Sequence, residues 1–148
     1  MPSQLPLDTL IGLAKESTDD AARALGRLNA ERNHAEKQLS MLQDYRQDYL
    51  QRLQNAMQSG MSAADCHNYQ RFIGTLDDAI NQQTAVLRQA DTHLAHGRVH
   101  WQQQQRRLNS FDALAERERR ALALAENRRE QRANDEFAAR MQYRHHPA

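Results

Sequence analysis

Helix-breaking residues are nearly missing from this 148-residue chain. It holds five glycines and three prolines, under half of the roughly 12% that an average chain gives to the two. The prolines stand at positions 2, 6 and 147. None interrupts the interior, so turns are few. Aromatic residues make up 5% and hydrophobic residues 39%, and mean hydropathy is −0.95. Such a composition excludes a thick globular core. Cysteine occurs once, as Cys66, which excludes an internal disulfide and fits a reducing cytoplasm. An excess of one charge is lacking as well. Twenty basic and 19 acidic residues leave a net +1, so no global field recruits nucleic acid or anionic lipid. The longest apolar stretch near the N-terminus, Leu10 to Ala14, contains Gly12 and is too short to span a bilayer. No basic-headed apolar segment resembles a signal peptide.

What is abundant is Ala, Leu, Gln, Glu and Arg, the strongest helix formers. Between Pro6 and Pro147 one segment reads as a turn, Gln58-Ser59-Gly60-Met61-Ser62. Gly60 can take the left-handed conformation that closes a helix. Ser62 can cap the next helix, with Asp65 completing a capping box. Gly12, Gly26, Gly74 and Gly97 fall inside helical pattern. Pro6 suits the first turn of a helix. The expected fold is all-α: one coiled-coil hairpin over the whole chain, with a helix over about 5–58, a turn at 58–62 and a helix over about 62–142.

Heptads set the pairing. In the first helix Leu7, Ala14, Ala21, Leu28, Ala35, Leu42, Tyr49 and Ala56 form one row, and Ile11, Thr18, Leu25, Arg32, Leu39, Arg46 and Leu53 a second. In the second helix Cys66, Ile73, Ile80, Leu87, Leu94, Trp101, Leu108, Ala115 and Leu122 form one row, and Tyr69, Leu76, Gln83, Ala90, Gly97, Gln104 and Phe111 its companion. Sustained rows of this kind are coiled-coil seams. Reversing the chain so that positions equidistant from Met61 meet sets Tyr49 against Ile73, Leu42 against Ile80 and Leu28 against Leu94. Small residues then meet large ones: Ala35 with Leu87, Ala21 with Trp101, Ala14 with Leu108, Leu25 with Gly97. Arg32 falls beside Ala90. Native packing density requires such matching, and a slipped register would set Trp101 against a leucine.

The second helix outruns the first. Past residue 118 it carries Ala121, Leu122, Leu124, Ala125, Phe137, Ala138 and Met141, interleaved with arginines and acids. An unpaired single helix is marginal in water, so this overhang is expected to fray when free and to gain order on a partner.

Catalytic chemistry finds no foothold. Neither Gly-x-x-x-x-Gly-Lys-Ser/Thr nor Gly-x-Gly-x-x-Gly occurs, so no phosphate loop is encoded. Cys66 beside His67 reads as a seam residue rather than a nucleophile, because a two-helix seam offers no cleft. His96 and His100 have the i,i+4 spacing of a metal pair, but His93 and His100 lie about 10.5 Å apart along a helix, too far to share an ion. His145-His146 could bind metal weakly and incidentally. No catalytic, cofactor or metal residue is assigned.

One surface feature departs from pattern. In an antiparallel coil the g positions of both helices flank one edge of the seam. Here they include Gln38, Tyr45 and Arg52 from the first helix and Phe72, Ala79 and Val86 from the second. The opposite edge, with Asn29, Glu36, Gln43, Asp77, Thr84 and Asp91, is polar. Exposed aromatics gathered on one edge point to a partner; the plainer reading is that they widen a thin seam.

The stretches Leu7–Lys15, Asp19–Leu28, Asp44–Leu50 and Asn68–Ile73, with the Tyr45/Tyr49 and Tyr69/Phe72 spacings, resemble the FliJ family of flagellar export proteins over nearly the whole chain. The resemblance implies an antiparallel two-helix coiled coil similar to the central stalk of rotary ATPases, with no catalysis and no cofactor of its own. It implies that the end holding both termini enters a hexameric export ATPase ring and promotes its assembly and activity. The ring contacts would then be Leu7, Leu10, Ile11, Phe111, Leu114, Arg119, Arg120, Leu122, Arg128 and Arg129. It implies export-gate contacts at Gln38, Leu42, Tyr45, Tyr49, Phe72, Leu76, Ala79 and Gln83, the last a position where the family often has His. These overlap the aromatic edge read from the heptads. Implied partners are the ATPase and its regulator, the membrane gate protein and export chaperones. The implied location is the cytoplasm at the inner face of the membrane, with membrane association through partners. The equivalent stalk of a virulence type III secretion system is an alternative. So, from a different class, is an Arg-rich helical nucleic-acid binder, although eight arginines and six acids alternate between Glu116 and Arg144 where a one-signed stripe is wanted.

Overall fold

The structure, a computed structural model, describes residues 6–145. Pro2, Leu5 (where the pattern starts the first helix), His146 and Pro147 lie outside the described residues. The fold is all-α: α1 is Leu7–Ser59, α2 is Ala63–His145, and no strand occurs among the described residues. Pro6 stands just ahead of α1, and its carbonyl accepts from the Thr9 and Leu10 amides at 3.0 and 3.1 Å. A residue without an amide hydrogen loses nothing there.

The reversal follows from two residues. Gly60 has φ of 85°, a left-handed conformation that costs other residues roughly 1–2 kcal/mol. It ends α1, and its amide donates to the Met57 carbonyl at 3.3 Å. Ser62 opens α2: its Oγ accepts from the Asp65 amide at 3.1 Å, the capping interaction expected of that pair.

The chain divides into two units, Thr18–Gln103 and Met1–Ser17 with Gln104–Ala148. In the first, α1 and α2 run antiparallel, since Arg32 meets Asp91 while Arg46 meets Asp77. Its buried apolar residues are Ala21, Ala35, Leu53, Ile73, Leu76 and Leu94, with Thr18 the buried polar one. All lie on the heptad rows. The larger seam residues Leu25, Leu28, Leu42, Leu87 and Trp101 are half-buried, because a two-helix seam is one layer thick and leaves their outer atoms in water. Gly97 marks a close approach of the helices. A Cβ there would stand 2.6 Å from Leu28 Cδ1 and 3.5 Å from Leu25 Cδ1.

The polar edge is ionic across the seam. Arg46 Nε donates to Asp77 Oδ1 at 2.5 Å. Arg32 Nε donates to Asp91 Oδ1 at 2.9 Å, and its fork also pairs with Glu36. The Asp91 hydrogen bond, aided by Glu36, raises the Arg32 guanidinium above its ordinary pKa. Gln83 Nε2 crosses to the Ala35 carbonyl at 3.1 Å.

In the second unit Ala14 is buried, and Leu7, Leu10, Ile11, Leu108, Phe111 and Ala115 are half-buried. The Arg107 guanidinium carbon lies 5.6 Å from the centre of the Phe111 ring. Every residue from 117 to 144 is exposed, yet α2 remains helical to His145. The helix thus runs the length of the overhang, as the expected helix to about 142 requires. No glycine or proline falls between residues 98 and 146, the segment is made of strong helix formers, and Arg119 and Arg120 both pair with Glu116 one turn back.

Gly26 and Gly74 have open space where a Cβ would sit. Gly26→Ala and Gly74→Ala should each stabilise the protein by up to about 1 kcal/mol, whereas Gly97→Leu should destabilise it by about 1–3 kcal/mol through overpacking. Thermal denaturation of the three variants checks the contrast.

Candidate partner-binding surfaces

Within Thr18–Gln103 both helices contribute to one aromatic cluster. Tyr49 is its hub. The Tyr45 ring stacks on it with centroids 6.0 Å apart and planes 17° apart. Tyr69 approaches at 6.1 Å and Phe72 at 4.4 Å. Tyr45 and Tyr49 are one turn apart on α1 and share a face. Tyr69 and Phe72 do the same on α2. Antiparallel pairing brings the two faces together. Tyr49, Tyr69, Phe72 and Asn68 line a shallow cleft of about 240 Å³. Tyr45 is 56% exposed and Phe72 38%, so the cluster presents an aromatic surface to solvent. Offset and tilted ring pairs are each worth about 0.5–1.5 kcal/mol beyond area burial.

The eight residues first assigned to a gate contact take different places. Gln38, Tyr45 and Phe72 are exposed; Leu42, Tyr49 and Ala79 are half-buried beside them. Leu76, at 7% exposure, is a core residue that supports the surface from below. Gln83 is half-buried, with its amide spent on the Ala35 carbonyl. Two neighbours fall outside that gate set, although Arg52 reads as an edge position and Tyr69 as a seam residue. Tyr69 and Arg52 join the cluster, the latter with its guanidinium carbon 5.3 Å from the Tyr49 ring centre. The i,i+3 spacings Tyr49–Arg52 and Tyr69–Phe72 were the available signals.

The residues first assigned to a ring contact all lie in the other unit. Leu7, Leu10, Ile11 and Phe111 are half-buried, and Leu114, Arg119, Arg120, Leu122, Arg128 and Arg129 are exposed. Leu7, Leu10 and Leu114 line a groove of about 830 Å³ with Pro6, Arg117, Glu118 and Ala121. Leu122, at 70% exposure, continues the seam row past the point where α1 begins. Cys66 is half-buried, and His93, His96 and His100 are exposed. Among the described residues no group of three or more His, Cys, Asp or Glu is placed to hold a metal. No helix among them is long and apolar enough to cross a membrane.

The model of the family described as "Flagellar FliJ protein" matches residues 3–147. The chain belongs to the flagellar FliJ family. It is 40% identical over 134 residues to the flagellar FliJ protein of Salmonella typhi, covering 90% of this chain and 91% of that one. The flagellar FliJ protein of Escherichia coli (strain K12) gives the same identity and coverage. A solved structure described as a YscO homologue from Chlamydia trachomatis shares the fold with a TM-score of 0.63 at 13% identity, over 97% of each chain. In this FliJ-family chain the aromatic cluster is therefore built on a two-helix fold found in other proteins.

Tyr49→Ala removes the hub of three ring contacts and should destabilise the protein by about 2–4 kcal/mol. Tyr45→Ala, on an exposed ring, should cost under about 1 kcal/mol. Chemical denaturation of both variants, with helicity followed by circular dichroism, separates structural from surface roles.

Proposed function

We propose that the protein is a non-catalytic stalk and chaperone-escort component of the flagellar type III export apparatus. In this reading Gln38, Tyr45, Phe72 and their half-buried neighbours bind the membrane export gate. The groove at Leu7, Leu10 and Leu114, with Ile11 and Phe111 beside it and the exposed arginines and Leu122 of α2, binds the hexameric export ATPase and promotes its assembly and activity. The ATPase regulator and export chaperones are further partners. The protein works in the cytoplasm at the inner face of the membrane and reaches the membrane through those partners.

One observation carries the reading: in a FliJ-family chain, residues from both helices converge on an exposed aromatic cluster, and the resemblance implies a gate contact at those positions. The cluster has the Tyr, Phe and Arg content of an interaction hot spot. Identity of 40% to two flagellar proteins supports the flagellar rather than the virulence system. Charge supports protein docking over nucleic acid, since arginines of the overhang alternate with acids and Arg119 and Arg120 are already paired with Glu116.

The combined change Tyr45→Ala and Phe72→Ala should leave helicity intact and lower affinity for the gate protein at least tens-fold. Stimulation of the export ATPase should persist, because no ring residue is touched. A pull-down with the gate protein beside an ATPase assay reads both. Intact gate binding by the folded double variant would reduce the cluster to seam packing.

A further inference from the structure

Arg52 differs from the other arginines placed around the seam. Arg32 and Arg46 reach across to Asp91 and Asp77 and so belong to the hairpin's own structure. Arg52 instead sits on the aromatic edge, with its guanidinium carbon 5.3 Å from the centre of the Tyr49 ring. Its ion partner is Asp48, one turn back on the same helix at 3.1 Å, and both side chains are more than half exposed. Exposed i,i+4 pairs are weak and exchange readily. The neighbouring edge positions Gln38, Tyr45, Phe72 and Ala79 are uncharged and Asp65 is acidic, so Arg52 is the basic group of this edge beside the exposed rings.

We infer that the aromatic cluster docks a partner segment carrying a carboxylate next to an apolar anchor, with Arg52 as the ligand of that carboxylate. The inference rests on the proposed gate-binding role and names the chemistry that the surface selects. The apolar anchor packs on Tyr45 and Phe72 and into the cleft that Phe72 shares with Tyr49, Tyr69 and Asn68. With its carbon 5.3 Å from the Tyr49 ring centre, the Arg52 guanidinium stands beside the cleft that takes the apolar anchor. Its planar fork matches a carboxylate with two parallel hydrogen bonds, which a lysine cannot supply. Partial exclusion of water by the docked anchor strengthens the pair relative to Asp48 in open solvent.

The test uses the full-length protein and the gate protein as probe, with Kd measured at low and high salt. Helicity and melting temperature serve as folding controls. Arg52→Gln should weaken binding about tenfold and flatten its salt dependence, because the charged contact is gone. Arg52→Glu should weaken it further by repelling the partner carboxylate. Arg52→Lys should fall between wild type and Arg52→Gln while keeping the salt dependence, which separates charge from mere side-chain bulk. Wild-type affinity of a folded Arg52→Glu variant, alongside lost binding by the Tyr45/Phe72 double variant, would overturn the carboxylate inference and leave the gate reading standing. Unchanged affinity in both would overturn both. A dimer in sedimentation that Arg52→Glu dissociates, with gate binding untouched, would assign the edge to a second copy of this chain and likewise overturn the inference.

Discussion

The seam between α1 and α2 is one layer of side chains thick, and its size matching governs what else the helices can place together. Alanines Ala21 and Ala35 are buried where the opposite row is large, and Gly97 leaves room for Leu28 and Leu25. With so few contacts per residue, a seam of leucines alone would tolerate slippage by a heptad. Alternating small and large residues removes that freedom. The left-handed Gly60 and the Ser62 cap set the point of reversal, and the seam then holds the register.

The aromatic surface depends on that register. Tyr49 touches Tyr69 and Phe72 only because α1 and α2 are reflected about the turn as they are. A slip of one heptad would carry the α2 pair a full two turns away from Tyr49. The aromatic surface is thus a consequence of packing and needs no separate element. It sits beside a seam that must be tight, and its rings are tied into that seam through the half-buried Tyr49. The same seam explains why Leu76 lies under the surface without being part of it.

Much of this was legible in the sequence. Two heptad rows per helix, one credible turn and the Ser62–Asp65 cap sufficed for the helices and their pairing. Tyr45 and Phe72, read as exposed edge positions, are exposed in the structure. Long polar side chains were harder, because they reach past the position that the heptad assigns. Arg32 was placed beside Ala90 but extends to Asp91; Gln83 reaches one turn along to the Ala35 carbonyl. Arg52 was legible as an edge position, while its contact with Tyr49 depends on a rotamer that no spacing specifies. The overhang was legible as helix because an unbroken run of helix formers with intrahelical pairs carries α2 to His145.

The register is most directly tested by double-mutant cycles on the two ion pairs that bridge the helices, Arg46–Asp77 and Arg32–Asp91. Each residue is replaced singly and in pairs, Arg by Gln and Asp by Asn, and stability is measured by denaturant unfolding. The account predicts coupling of about 0.2–1 kcal/mol within each pair and none for the crossed combination Arg46 with Asp91. Coupling in the crossed combination, or its absence from both native pairs, would contradict the reflected register and with it the aromatic surface built on that register.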